Sequence, residues 1–199
     1  PNYNIIASAG ANGSISPTGT TTLSCDGTGD QTYTITPNAC YSVADVLVDG
    51  VSVGAVTTYT FTDVTTNHTI AASFVLNTYN IVASSGANGS VTPTGTTSVN
   101  CGDNLTYTIT PDACYAIADV LVDGVSVGAV GSYSFNNVSA GHTISASFSL
   151  ISYTITASAG TGGSISPSGA VSSDCGSTPT FTITPDACYA IADVLVDRV

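Results

Sequence analysis

The chain has 199 residues and a formal net charge of −12, because its 13 acidic residues, all of them Asp, face the single base Arg198. Nucleic acid and anionic membrane surfaces are therefore poor partners, since binding them requires Lys and Arg to neutralise phosphate groups. Thr, Ser, Gly, Ala and Val dominate the remainder. This composition is too apolar for a disordered chain and too rich in β-branched residues for a helical one.

Three near-copies of one sequence fill the chain. They begin with the aligned stretches "YNIIASAGANGSISPTG", "YNIVASSGANGSVTPTG" and "YTITASAGTGGSISPSG", at Tyr3, Tyr79 and Tyr153. A fixed period of this size indicates tandem units of one fold. We therefore expect three domains, called repeat 1 (1–77), repeat 2 (78–151) and repeat 3 (152–199).

Each repeat reads as a series of short strands. Apolar and polar residues alternate in "YNIIAS", "TYTIT", "TYTFT" and "HTIAASF", which is typical of half-buried strands. Turn signals separate them, and "DG" at 49–50 suits a two-residue type I′ hairpin. In "YSVADVLVDG" the apolar positions lose strict alternation, which predicts a bulge near Ala44 and Asp45.

The third copy ends early. It stops after "ADVLVDRV" and has no counterparts of the strands "TYTFTDV" and "HTIAASF". Such a unit would expose part of its core and an unpaired sheet edge. Either the sequence is a window on a longer array, the interpretation we favour, or the strands come from a neighbouring molecule.

Each repeat contains two cysteines, one before a predicted strand and one after it. We predict one disulfide inside each repeat, which would place the protein outside the reducing cytosol. The alternatives are disulfides between chains and a metal site, although no "CxxC" spacing is present. The predicted pairs are Cys25 with Cys40, Cys101 with Cys114, and Cys175 with Cys188.

Four stretches follow one another in a repeat: "YNIIASAGANGSISPTG", "TYTITPNACY", "VLVDGVSVGAV" and "TYTFTDVTTNHTIAASF". A unit with these motifs in this order resembles the divergent internalin B-type repeat of bacterial and archaeal surface proteins. The resemblance implies a small all-β module, usually in tandem and usually a spacer or stalk, with no catalytic residues. Cysteine at positions 25 and 40 departs from the usual pattern, as does Arg198 where Gly50 and Gly124 stand in the other copies. The fold class we expect is all-β: a tandem array of small antiparallel β-sandwich or grasp-like modules, each stapled by one disulfide.

Two kinds of residue suggest chemistry. Paired carboxylates near a turn are weak candidates for calcium ligands, although Asp before Gly is also the ordinary way to make a tight turn. His68 and His142 precede the last strand of their repeats, and we interpret them as turn-capping residues rather than general bases. The calcium candidates are Asp45, Asp49, Asp119 and Asp123.

The bulge predicts that one leucine in each repeat points outward. An outward apolar row at constant spacing suits packing between molecules, whereas the alternative places these leucines in the core. The three residues are Leu47, Leu121 and Leu195.

We therefore expect an extracellular or cell-surface structural protein: a segment of a filament, sheath or stalk that associates with itself. The alternative is a binding module, either an adhesin or a carbohydrate-binding accessory domain of a larger secreted protein. Polysaccharide is a possible ligand, although the chain has no Trp to form a sugar-binding platform. We expect no catalytic residues, no resident cofactor, no nucleic-acid partner and no membrane insertion.

Overall fold

The structure of the chain is a computed structural model that describes residues 2–24 and 29–197. Within these ranges all the regular elements are β-strands, which confirms the all-β fold class. The strands are β1 (Asn2–Ala9), β2 (Gly13–Ser16), β3 (Gly19–Ser24), β4 (Gln31–Pro37), β5 (Tyr41–Val48), β6 (Val51–Ser52), β7 (Thr58–Phe61), β8 (His68–Leu76), β9 (Thr78–Ser85), β10 (Gly89–Thr92), β11 (Gly95–Asn100), β12 (Leu105–Pro111), β13 (Tyr115–Val122), β14 (Val125–Gly128), β15 (Ser132–Phe135), β16 (His142–Leu150), β17 (Ser152–Ala157), β18 (Gly163–Ser166), β19 (Gly169–Asp174) and β20 (Thr182–Pro185).

Two compact units make up the chain, and their boundaries cross repeat 2. The first unit consists of Pro1–Ile81, Thr96–Thr106 and Ser134–His142. The second consists of Val82–Gly95, Tyr107–Tyr133 and Thr143–Val199. Repeat 2 therefore contributes segments to both units.

In the first unit, repeat 1 forms two sheets. One has the strand order β3-β1-β8-β5-β6 and the other has the order β2-β4-β7. The pairings are antiparallel except that β1 and β8 run parallel, with Ile5 opposite His68. Within repeat 1 this pair is the exception to the antiparallel pairing. It arises because β2 to β7 form a long crossover between the two strands, as parallel neighbours require.

The core of repeat 1 draws on strands of both sheets. Ile5 and Ile70 from the larger sheet and Tyr33 from the smaller one are completely buried. Phe61 adds edge-on ring contacts with Tyr33 and Tyr59, at centroid distances of 5.9 and 4.9 Å. The period-two pattern of the sequence therefore supplies the apolar face of each sheet.

The predicted bulge and hairpin are both confirmed. The register between β5 and β8 shifts between Val43 and Asp45, and the copy in repeat 2 shifts between Ile117 and Asp119. Asp49 and Gly50 have φ values of 51° and 79°, so both central residues of the turn are left-handed, as a type I′ turn requires.

In the second unit, β13 pairs with β14 and with β16, and β10 pairs with β12. In repeat 3, β17 pairs with β19 and β18 pairs with β20. The segment 186–197 forms no strand, although its first two copies form β5 and β13. Its apolar side chains are exposed, and Leu195 retains 68% of its accessible surface. Arg198, which departs from the repeat pattern, lies outside the described residues.

Candidate functional site at the repeat junctions

Two disulfides connect successive repeats. Cys40 of repeat 1 bonds to Cys101 of repeat 2, with Cα atoms 5.4 Å apart. Cys114 of repeat 2 bonds to Cys175 of repeat 3, with Cα atoms 5.3 Å apart. The prediction of one disulfide inside each repeat is therefore wrong, because the second cysteine of one repeat pairs with the first cysteine of the next.

The parallel pairing of β1 and β8 explains this correction. Ser24, which directly precedes Cys25, lies opposite Asn2 at the start of β1. Tyr41, which directly follows Cys40, lies opposite Leu76 at the end of β8. Because β1 and β8 are parallel, these positions lie at opposite ends of one sheet. Cys25 itself lies outside the described residues, and Cys188 is a free, exposed thiol.

Beside each of these disulfides, a single linker residue connects the last strand of one repeat to the first strand of the next. Only Asn77 separates β8 from β9, and only Ile151 separates β16 from β17. The Asn77 amide donates a 2.8 Å hydrogen bond to the Cys40 carbonyl, and the Asn77 carbonyl accepts a 2.9 Å bond from the Cys101 amide. The linker is therefore held on both sides by the residues that the disulfide joins.

The second junction repeats this arrangement. The Ile151 amide donates to the Cys114 carbonyl, and the Cys175 amide donates to the Ile151 carbonyl, both at 2.8 Å. Asn and Ile differ in chemistry, so the shared bonds are made by the backbone. In the first junction the Ser42 hydroxyl adds a 2.5 Å bond to Asn77 Oδ1. We call each set of two cysteines and one linker residue a junction: Cys40, Asn77 and Cys101, and Cys114, Ile151 and Cys175.

The linker residues were not identified from the sequence. Asn77 and Ile151 are unlike side chains at equivalent positions, so side-chain chemistry alone does not mark them. The sequence does contain one signal that could have identified the bonded cysteines, which is the constant sequence separation between the second cysteine of one repeat and the first cysteine of the next. Both disulfides join residues separated by 61 positions.

The carboxylates of the first hairpin accept hydrogen bonds from the protein. Asp45 Oδ1 accepts from the Val46 amide at 2.9 Å and from the Ser52 hydroxyl at 2.7 Å, which fixes the bulge to β6. Asp49 Oδ1 accepts from the Thr69 amide at 2.8 Å. The equivalent Asp119 and Asp123 accept the corresponding bonds in repeat 2. These four calcium candidates therefore serve local turns, and no group of three or more His, Cys, Asp or Glu side chains within residues 2–24 and 29–197 could hold a metal ion.

His68 lies between a carboxylate and an aromatic ring. Its Nδ1 is 2.7 Å from Asp49 Oδ2, and its ring centroid is 5.0 Å from that of Phe61. The His68 side chain lowers the pKa of Asp49 below its ordinary value, and the Thr69 amide lowers it further. In repeat 2, His142 stacks on Phe135 at 4.9 Å. Both histidines thus occupy the start of the last strand of their repeats, where turn capping was predicted.

The three leucines are exposed. Leu47 and Leu121 retain 38% and 37% of their accessible surface, whereas the neighbouring Val46 and Val120 are completely buried. Leu195 lies in the exposed segment of repeat 3. The outward orientation follows from the bulge, while a role for these residues in assembly remains a prediction.

No helix long and apolar enough to cross a membrane occurs in the part of the chain that the structure describes. No curated protein and no solved structure shows significant similarity to the chain.

A family model described as the divergent InlB B-repeat domain matches residues 79–152 and 153–193, which is more than half of the chain. The two matched ranges are adjacent copies, and repeat 1 carries the same motifs. Repeats of this family are associated with bacterial surface or secreted proteins. The tandem sequence, the all-β fold and this match together show that the chain belongs to the divergent InlB B-repeat family.

Proposed function

We propose that this chain is an extracellular structural segment of a filament, sheath or stalk, and that its disulfides carry tension from one repeat to the next. The observation that supports this function most strongly is the junction. It joins successive repeats by a covalent bond and by two backbone hydrogen bonds to a single linker residue. A covalent link between successive repeats suits a segment that bears load along its length.

The position of the disulfides determines how a pulling force would be transmitted. In the oxidised chain the shortest covalent path passes from Cys40 directly to Cys101 and from Cys114 directly to Cys175. The residues between the bonded cysteines are bypassed, and they include the strands β5 to β11 and β13 to β19. Tension on the ends of the chain would therefore not extend the bypassed strands.

The disulfides also favour the folded state without any load. Each one closes a loop with a sequence separation of 61, for which the chain-entropy model gives about 4 kcal/mol of stabilisation. Small β-modules bury modest cores, so this contribution is large compared with the usual free energy of unfolding. Such bonds persist outside the reducing cytosol, which agrees with the surface association of the family.

The tyrosines of repeats 1 and 2 favour a structural role over polysaccharide binding. Sugar-binding sites usually present exposed aromatic rings. Tyr153 and Tyr189 of repeat 3 are exposed to 58% and 62%, whereas Tyr33 and Tyr107 are completely buried and the other tyrosines of repeats 1 and 2 are half-buried. The proposal therefore assigns the tyrosine rings of repeats 1 and 2 to packing, and it assigns no catalytic role to any residue.

The experiment is to stretch single molecules of the chain by their ends, with and without a reductant. A fully extended chain spans about 3.5 Å per residue, so each disulfide should hide about 200 Å of extension. The reduced chain, or a variant with Ser at positions 40, 101, 114 and 175, should extend about 400 Å further than the oxidised chain.

A matched control comes from Cys188, which is free in this structure. Cys188→Ser should leave the extension of the oxidised chain unchanged. Equal extensions of the oxidised and reduced chains would show that the disulfides do not carry tension, and the proposed function would then lose its mechanical basis.

A further inference from the structure

Three side chains of repeat 1 form a chain of contacts at the start of β8. Asp49 Oδ2 lies 2.7 Å from His68 Nδ1, and His68 Nε2 lies 3.3 Å from Thr66 Oγ1. All three residues belong to the first compact unit. A carboxylate, an imidazole and a hydroxyl follow one another in the order that activates a hydroxyl nucleophile for acyl transfer, and contacts of this length are usual before a substrate binds.

The carboxylate and the imidazole are each held by a further contact. The Thr69 amide donates a 2.8 Å hydrogen bond to Asp49 Oδ1, which leaves Oδ2 for the imidazole. The His68 ring packs against Phe61, with the ring centroids 5.0 Å apart. The imidazole is therefore oriented by a carboxylate on one side and by an aromatic ring on its face, and a general base needs such a fixed orientation.

These contacts also determine which nitrogen of His68 carries the proton. The hydrogen bond from His68, and next the bond from the Thr69 amide, lower the pKa of Asp49, so this carboxylate is ionised at neutral pH and can only accept hydrogen bonds. Nδ1 of His68 is then the donor. In the neutral imidazole Nε2 carries the lone pair, and it accepts a hydrogen bond from the Thr66 hydroxyl. Turn capping uses Nδ1 and proton acceptance uses Nε2, so one ring can serve both roles.

The hydroxyl is accessible from solution. Thr66 is exposed, and the side chains of His68 and Asp49 retain 25% and 46% of their accessible surface. An open site of this kind supplies little binding energy, so its acyl donor must already carry a good leaving group. Repeat 2 has Ala140 at the position of Thr66 and therefore lacks the nucleophile.

We propose that Thr66 is a site of covalent acylation, at which His68 acts as general base and the acyl donor is a thioester or an activated carboxylic ester. Asp49 is a positioning residue, because it acts through the imidazole. The hydroxyl takes up one acyl group, so this is a modification site on a structural module. The inference goes beyond the proposed function and does not depend on it.

The reaction is one acyl transfer. Thr66 Oγ1 attacks the carbonyl carbon of the donor while His68 Nε2 removes the hydroxyl proton. The tetrahedral intermediate then expels the alcohol or thiol of the donor, which takes its proton from Nε2. One ester bond forms on the protein, one ester or thioester bond of the donor breaks, and no group is oxidised or reduced.

The experiment uses the 199-residue chain and p-nitrophenyl acetate as the acyl donor. Free thiols are first alkylated, and the chain has no Lys to compete for the reagent. The native chain should release p-nitrophenolate in a stoichiometric burst. After an acid quench and digestion, mass spectrometry should find the acetyl group on the peptide that contains Thr66. The peptide with His142 is the internal control and should carry none, because it has Ala140 in place of the nucleophile.

Four variants separate the nucleophile, the base and the positioning residue. Thr66→Ala should abolish the burst and the acetyl group, whereas Thr66→Ser should keep both because it retains the hydroxyl. His68→Gln should slow acetylation about 100-fold, the lower end of the usual contribution of a general base. Asp49→Asn should also slow it, because an amide that accepts from His68 no longer favours the tautomer with its proton on Nδ1. Far-ultraviolet circular dichroism checks that each variant is folded.

Two results would overturn the proposal. One is a native chain that carries no acetyl group on Thr66 after the quench. The other is a Thr66→Ala variant that releases p-nitrophenolate as fast as the native chain, since the imidazole alone would then account for the reaction. Neither result bears on the stretching experiment, which depends on the disulfides and not on this hydroxyl.

Discussion

The ring of Phe74, on β8, lies directly over Gly13, on β2. A methyl group on Gly13 would overlap that ring, and Gly89 has the same relationship to Phe148 in repeat 2. Glycine at this position therefore allows the two sheets of a repeat to approach each other closely.

We predict that Gly13→Ala lowers the free energy of unfolding by about 1 to 3 kcal/mol, the usual cost of overpacking. Chemical denaturation followed by circular dichroism measures this change. Gly10→Ala is the matched control, because its methyl group would lie at an ordinary distance of 3.6 Å from the Ala72 carbonyl oxygen. Equal effects of the two substitutions would contradict a specific contact with Phe74.

The hydroxyl of Tyr33 is buried without a hydrogen-bond partner among residues 2–24 and 29–197. An unsatisfied buried hydroxyl costs about 1 to 3 kcal/mol, so Tyr33→Phe should leave stability unchanged or raise it by about 1 kcal/mol. Tyr59→Phe, at a half-buried ring, should have little effect. A clear loss of stability in Tyr33→Phe would reveal a hydrogen bond made by this hydroxyl.

Asp49 makes the stability of the first hairpin depend on pH. Its pKa is lowered in the folded state by His68 and by the Thr69 amide. A group with a lowered folded pKa stabilises the protein above its unfolded pKa, and this contribution is lost as the pH falls through the folded pKa. The melting temperature of Asp49→Asn should therefore be lower than that of the native chain at pH 7, and the two should converge below about pH 4.

His68→Gln provides the comparison for this effect. It removes the largest cause of the lowered pKa but leaves the Thr69 amide bond to Asp49. We expect the acid-dependent difference to shrink without disappearing. A difference of constant size from pH 7 to pH 2 in Asp49→Asn would show that the carboxylate charge does not contribute.

Substitution of the exposed leucines should affect assembly without affecting folding. Replacement of all three by Thr should abolish self-association, measured by sedimentation and negative-stain microscopy, with the far-ultraviolet circular dichroism unchanged. The residues are Leu47, Leu121 and Leu195. Val46→Thr is the contrasting control, since it buries a hydroxyl in the core and should lower the melting temperature. Loss of folding in the leucine variant would mean that these residues stabilise the repeat itself.

The strand pattern, the type I′ turn and the bulge could be predicted because they depend on local chemistry. Alternating apolar residues form the two faces of a strand, and Asp49 with Gly50 favours the left-handed turn. The broken alternation around Ala44 was enough to place Leu47 on the outer face. These features need no knowledge of which strands pair across the repeat.

The disulfide pairing could not be predicted, because it depends on the position of β8 between β1 and β5. The two cysteines of a repeat are close in sequence, and an antiparallel turn would bring them together. The parallel alignment of Ile5 with His68 instead separates the neighbours of Cys25 and Cys40 to opposite ends of the sheet. The local pattern gives no information about this crossover.

Disulfide mapping of the native chain tests the central claim, that covalent bonds join successive repeats, most directly. Cleavage before Asp places each of the six cysteines on a separate peptide, whereas trypsin has only Arg198 to recognise. Mass spectrometry without reduction should find the peptide of Cys40 joined to that of Cys101, and the peptide of Cys114 joined to that of Cys175. Bonds between Cys101 and Cys114, or between Cys175 and Cys188, would place the disulfides within single repeats and contradict the account.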